Sequence, residues 1–408
     1  MITPGRRIAI TGMGAVSAFG EGAQALWQGL RAGTSAIAPL RHERASQLRV
    51  RVAAQVPDSF DPTVHFDERT LPLLDRTAQF ALLAAREAVA QAGLEWNAAE
   101  RKRRAAVVIG TGVGGENTQG EQARRLYAEN ATRLNPLTIV RAMANAPTSQ
   151  VSIAYGLCGP SFGVVSACAS SNHAIAQAAL LIRAGLADVV VTGGTEACFT
   201  YGALRAWEAM RVLADDTCRP FSADRRGLVL GEGAGVFVLE AMEHAQARGA
   251  RPLAELVGTG MSADAGDIVA PDPAGAVAAM TQALEDGGLA PEDVDYVNAH
   301  GTGTLANDPS ETRAVRQVFG RHADRLAVSS TKSMHGHALG ASGALELVAV
   351  LGALREGIVP PTANFERSDP ACDLDYVPNV ARAMPVRAAL SNSFAFGGLN
   401  AVLALKRA

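Results

Sequence analysis

Short apolar runs separated by glycine-rich turns recur along the chain, and between them lie segments whose apolar residues return every three or four positions. Residues 7–11, 105–109, 188–192 and 235–240 read as strands, each bounded by glycine or a charged residue. Residues 75–92 place Ala78, Phe80, Ala81, Leu82, Ala85 and Val89 on one helical face and stop at Gly93. The same periodicity predicts helices over 22–31, 116–129, 137–155, 172–183 and 203–210. Residues 36–70 read as an irregular hairpin region and 214–229 as a loop rich in Pro, Asp and Arg. Glycines 12, 14 and 20 punctuate the end of the first strand as a turn.

After Arg251 the pattern begins again. Strands are expected over 253–258, 294–298 and 326–330, and a last pair brackets 392–398. Helices are expected over 275–286 and 343–355. The two halves share a pattern and almost no sequence. This predicts an α/β protein of two units, 1–251 and 252–408, with small-residue helices packed between facing sheets.

One junction concentrates the chemistry. Val164-Val165 runs into Ser166-Ala167-Cys168, and a helical segment follows at once. Free N–H groups and the helix dipole at such a junction favour negative charge, so the Cys168 thiol is expected to be more acidic than an ordinary cysteine. Its neighbours Ala167, Ala169, Ser170 and Ser171 are small and leave room above the sulfur.

Composition narrows the function. Of 408 residues 48% are hydrophobic, only 5% are aromatic and 41 are glycine, which fits a tightly layered core of small aliphatic side chains. A net charge of −3 argues against a general nucleic-acid binder. Five cysteines at 158, 168, 198, 218 and 372 form no CxxC or zinc-type spacing and suit a reducing compartment. No signal peptide is expected. The apolar run 338–354 is short for a bilayer span and carries Glu346, so the protein is expected to be soluble and cytoplasmic.

Three further strand ends carry polar groups: His300-Gly301-Thr302-Gly303-Thr304, Lys332 through His337, and Asn392-Ser393-Phe394-Ala395-Phe396-Gly397-Gly398. Open α/β folds place their sites at such ends. Gly110-x-Gly112-x-x-Gly115 formally matches a dinucleotide fingerprint, but no second strand with an acidic tip follows about 20 residues on. It reads as a turn.

With Ser166-Ala167-Cys168-Ala169-Ser170-Ser171, these segments stand in the order of the β-ketoacyl-acyl carrier protein synthases. The chain resembles that family, a type II condensing-enzyme branch of the thiolase-like superfamily, from about residue 6 to 406. Residues 333–337, 361–365 and 372–375 are also similar to the nodulation-factor fatty-acyl synthases of that branch. The resemblance implies a duplicated, five-layered α-β-α-β-α fold and decarboxylative Claisen condensation of an enzyme-bound acyl group with malonyl-carrier protein.

It further implies roles for individual residues. Cys168 would carry the acyl group, and His300 and His337 would hydrogen-bond the enolate oxygen. The N–H groups of Cys168 and Phe396 would hold the acyl-transfer oxyanion, and Phe396 would also act as a gate. Lys332 would orient the histidine site, paired with Glu346, with Asp308 and Glu311 as supports. Val113 and Leu134 would wall the acyl pocket, the modest size of Val113 pointing to a medium or long chain. Arg133, Arg205 and Arg211 would dock the carrier protein, the basic run 101–104 being another candidate.

No metal or organic cofactor is implied. A homodimer is expected, the alternative being the active subunit of a heterodimer with a catalytically inactive, chain-length-determining homologue. The chain departs from the family at His335, Ala395 and Leu399, where Thr, Gly and Thr are common. These changes bear on substrate and gating rather than on the nucleophile.

Overall fold

The fold follows from strands that are buried on both faces. In the computed structural model, which describes residues 5–96 and 102–408, β1 (Ile8–Ser17) has all ten residues buried. β2 (Ala105–Gly110), β4 (Val189–Glu196) and β5 (Gly233–Ala241) are buried throughout as well. Strands covered on both sides have no polar face to alternate with, so they appear in the sequence as unbroken aliphatic runs. β3 (Ser161–Val164), β6 (Ala254–Ala263), β7 (Tyr296–Asn298), β8 (Ala327–Ser329), β9 (Ala388–Ala395) and β10 (Leu399–Arg407) complete the main set.

The duplication is explicit in the topology. The strands form one sheet in the order β8-β7-β9-β10-β6-β1-β5-β4-β2-β3, with Gly20–Glu21 added on β1. In the first half, β2 is parallel to β3 and β4, β4 is antiparallel to β5, and β5 to β1. In the second, β7 is parallel to β8 and β9, β9 is antiparallel to β10, and β10 to β6. Numbered within its own half, each reads 3-2-4-5-1. Where two separate sheets were expected, one short antiparallel pairing of Ile8, Ala9 and Ile10 with Leu256, Glu255 and Ala254 joins them.

Five layers result. α1 (Arg76–Ala92), capped by Asp75 on Thr77 N–H, covers the outer face of β1, β4 and β5. α2 (Ser170–Arg183) and α5 (Ser342–Glu356) fill the middle, touching strands of both halves. α3 (Pro273–Asp286) covers β6 and β10 from outside, and α4 (Asn307–Phe319) lies on α3. Alternation within β2 shows the two faces. Ala106 and Val108 pack with α2 and α5, whereas Val107 and Ile109 pack with Phe80 and Ala81 of α1.

Several expectations are corrected. β1 does not turn at Gly12 and Gly14 but runs on to Ser17. A Cβ at Gly12 would lie 2.0 Å from Ala88 O, and one at Gly14 would lie 2.1 Å from Ala84 O. The glycines mark the close approach of α1 to the strand, not a turn. The helix expected over 137–155 is two, Thr138–Ala142 and Ala146–Tyr155. Met143 is extended between them, and Pro147 sits in the first turn of the second. The helices α4, Met242–Ala247 and Lys332–His335 were not anticipated. Residues 36–70 hold one small pairing, Ala38–Pro39 with Val52–Ala53, and short helical turns. No helix among the described residues is long and apolar enough to cross a membrane.

Candidate active site

The two halves build the same junction twice. After β3 the chain makes a single tight turn of helix, Ala167–Ala169, and enters α2 at Ser170. Ala167 sits at φ 49°, a left-handed conformation that L-residues occupy only when their surroundings impose it. Ser170 imposes it: its hydroxyl receives Ser166 N–H at 2.9 Å and reaches Ala167 O at 2.7 Å. In the second half Leu339–Ala341 forms the same turn, Leu339 has φ 45°, and α5 starts at Ser342. Where one junction carries Cys168, the other carries Gly340.

Cys168 is buried, and burial pushes its thiol up to about 12. The charge of Lys332 and the N–H groups of Phe396 and of Cys168 itself pull in the other direction. The acidic thiol expected from the helix start is therefore not found. Removal from water is the largest influence and favours the neutral thiol.

The histidines come from the second half. His300 follows β7, and its N–H and that of Gly301 are each held at 2.8 Å by the Glu311 carboxylate, which also takes Asn392 Nδ2 at 3.2 Å. Lys332 Nζ bonds His300 O at 2.6 Å, lies 3.3 Å from His300 Nδ1 and pairs with Glu346. A lysine ammonium can only donate, so His300 Nδ1 accepts and Nε2 carries the proton. His337 Nδ1 is 2.7 Å from Ser342 Oγ, and a serine hydroxyl donating there leaves Nε2–H free in the same way. The rings meet edge to face with centroids 5.4 Å apart. Burial, reinforced by Lys332, lowers both imidazoles well below the ordinary range, so both are neutral donors.

Asp308 lies further back, accepting N–H bonds from Phe221 at 2.7 Å and Gly303 at 3.2 Å. Burial raises it to about 6. Phe396 occupies the turn between β9 and β10, half-buried, its ring 6.3 Å from that of Trp207. Cys168, His300, His337, Phe394, Ala395 and Phe396 line one cavity of about 100 Å³. Thr302 and Thr304 of the same segment line it too, as does Asn307, which the sequence reading did not single out.

Other residues stand elsewhere. Val113 and Leu134 are 44% and 41% exposed on the isolated chain and do not line this cavity. Arg205 is paired with Glu208 at 2.8 Å, and Arg104 with Asp188. Arg101 lies outside the described residues. Arg211 and Arg133 are exposed, and Arg211 adjoins Val212, which lines the cavity. Of the departures, Ala395 lines the cavity, Leu399 packs against the cluster containing Cys168, and His335 turns away to bond Thr331 at 3.0 Å. Burial takes His335 down to about 3.

A thiol, paired N–H donors and two neutral imidazoles around one cavity are the equipment of an acyltransferase working through an acyl-enzyme. Residues 5–245 match the β-ketoacyl synthase N-terminal domain and residues 253–366 its C-terminal domain. The chain belongs to the β-ketoacyl synthase family. It is 51% identical to nodulation protein E of Rhizobium sp. (strain N33), over 98% of this chain and 99% of that one. It is 43% identical to 3-oxoacyl-[acyl-carrier-protein] synthase 2 of Coxiella burnetii, over 98% and 99%. Among solved structures, the ishigamide ketosynthase/chain length factor superposes with a TM-score of 0.94 at 36% identity, covering 99% of this chain and 100% of that one.

Proposed function

We propose that the protein condenses an acyl group, held on Cys168, with malonyl-acyl carrier protein to give 3-oxoacyl-carrier protein. The reading rests on one observation above others: Cys168, the Phe396 N–H and two neutral histidines face a single cavity.

In the first half-reaction the Cys168 sulfur attacks the thioester carbonyl, and the N–H groups of Cys168 and Phe396 hold the oxyanion. The carrier thiol leaves with the proton that Cys168 gives up. Malonyl-carrier protein then enters with its thioester oxygen toward Nε2–H of His300 and His337. The bond to its carboxylate breaks as CO₂, and the electron pair passes into an enolate whose oxygen these two donors stabilise. The enolate carbon attacks the acyl carbonyl, forming the new carbon–carbon bond, and Cys168 leaves as a thiolate that takes a proton from solvent. That electron pair comes from the carboxylate bond, so the reaction itself calls for no redox or metal step. Lys332 fixes the His300 tautomer, and Glu346 balances its charge. The test mixes octanoyl- or palmitoyl-carrier protein with malonyl-carrier protein. Appearance of a 3-oxoacyl product two carbons longer is expected; absence of product with every acyl donor would overturn the reading.

The partners are an acyl carrier protein and a second subunit, in the cytoplasm. β3 is the terminal strand of the sheet, and near it Val113, Leu134, Ile139, Val140, Met143 and Val165 are exposed, Ile139 to 65%. A homologous subunit laid on this face would cover them and let Val113 and Leu134 wall an extended acyl pocket. Likeness to a ketosynthase/chain length factor keeps a heterodimer as the second reading.

For the carrier protein, Arg211 is the candidate beside the cavity, whereas Arg205 is held by Glu208. A single rim charge of this kind is worth about 1 kcal/mol. Arg211→Glu should therefore raise KM for acyl-carrier protein about fivefold or more at low salt, leave kcat unchanged, and lose its effect as salt is added.

A further inference from the structure

Glu196 ends β4 with its carboxylate in the interior, between the two halves, and no step above uses it. The residue is fully buried, and burial pushes its carboxyl up to about 7. One oxygen receives Gly112 N–H at 2.6 Å and Gly340 N–H at 2.9 Å. The other receives the Thr111 hydroxyl at 3.1 Å and Val113 N–H at 3.3 Å. All four partners are neutral donors.

Each donor leads to a different part of the site. Thr111 O accepts the Ser170 hydroxyl at 3.1 Å, the same hydroxyl that fixes the strained turn before Cys168. Gly112 and Val113 form the turn after β2. Gly340 is the counterpart of Cys168 in the second half; its carbonyl accepts the Ser171 hydroxyl. Two residues on is Ser342, the partner of His337. The two loops touch, since a Cβ at Gly340 would lie 2.2 Å from Gly112 N. Two N–H groups converge there, and a single carboxylate oxygen satisfies both. Without it, two buried donors would each lose an acceptor.

We propose that Glu196 is a positioning residue that holds the Thr111–Val113 turn beside Cys168 and the Gly340 junction beside His337 in one register, so that the acyl carbon and the enolate carbon meet. It touches neither substrate and acts through Ser170 and Ser342. The functional half of the inference rests on the condensing reading; the structural half does not.

Two variants separate the possibilities. Glu196→Ala removes all four bonds. Glu196→Gln can keep Gly112 and Gly340 on its carbonyl oxygen and turn its amide toward Thr111, whose hydroxyl can accept, losing only the Val113 bond. Amide hydrogen exchange is followed in peptides covering 108–116 and 336–344, together with acylation of Cys168 and the condensation rate. For Glu196→Ala, exchange should rise about tenfold or more in both peptides and little elsewhere. Condensation kcat should fall about 10–100-fold, with KM for acyl-carrier protein within about threefold of wild type. Glu196→Gln should restore both readouts to within about fivefold of wild type.

Exchange that rises in one loop only, or throughout the protein, would overturn the proposal. So would a Gln variant as damaged as the Ala variant, since that would make the charge and not the bonds decisive. A wild-type protein that condenses nothing would count against the proposed reaction, while exchange would still decide the registering role.

Discussion

Cys168→Ala should abolish both the acyl-enzyme and condensation. Intact mass after mixing with octanoyl- or palmitoyl-carrier protein should show an acyl gain on the wild type and none on the variant. Turnover should fall by about 10⁴-fold or more, as when a covalent nucleophile is deleted from other acyl-transfer enzymes. The prediction is specific because four other cysteines stay in place. Cys198, Cys218 and Cys372 are buried and do not line the cavity, and only Cys158 is exposed. Folding should survive, because a small side chain is replaced by another small one. A retained mass gain would move the acyl group to Cys158 or elsewhere and would sink the assignment of the nucleophile. Because burial holds the thiol at about 12, acylation depends on a bound thioester whose oxyanion the N–H pair can stabilise, not on a standing thiolate. Small thiol reagents should therefore label Cys158 well before Cys168.

The parts of this site that could be read from the sequence are those whose geometry is local. A strand that runs into a helix through Ser-Ala-Cys announces its junction within a few residues. The His300, Lys332–His337 and Asn392–Gly398 segments likewise carry their glycine turns with them. What escaped depends on residues far apart in the chain. Glu196 follows two glycines and looks like any strand end, but its bonds to Gly112 and Gly340 span 84 and 144 residues. The thiol's acidity was misjudged for the same reason: a helix start is visible in sequence, while full enclosure by both halves is not. Gly12 and Gly14 carried a true turn signal that the packing of α1 overrode. α4 was hidden because its opening Asn307-Asp308-Pro309-Ser310 resembles a loop, although Pro and Asp are at home in a first helical turn. Val113 and Leu134, which the family resemblance places at the acyl pocket, are exposed on the chain and do not line the cavity.

The histidines should fail differently from the cysteine. His300→Ala or His337→Ala should lower condensation by about 10²–10³-fold, the usual cost of one donor to a developing oxyanion, yet leave the acyl mass gain on Cys168. The split follows from the geometry. In the proposed reaction acyl transfer has its own donors in the N–H groups of Cys168 and Phe396, whereas the imidazoles would meet the incoming malonyl group. Burial keeps both rings neutral; Lys332 leaves Nε2–H on His300, and a Ser342 hydroxyl donating to Nδ1 leaves it on His337. They are therefore equipped to donate rather than to take a proton. If both donate to one oxygen, the double variant should lose far less than the product of the single losses, because groups that act as a unit are not additive. Replacing either histidine by Asn, which keeps an N–H donor, should recover part of the rate. Loss of acylation in step with condensation would mean instead that an imidazole removes the thiol proton, and the donor role would have to be given up.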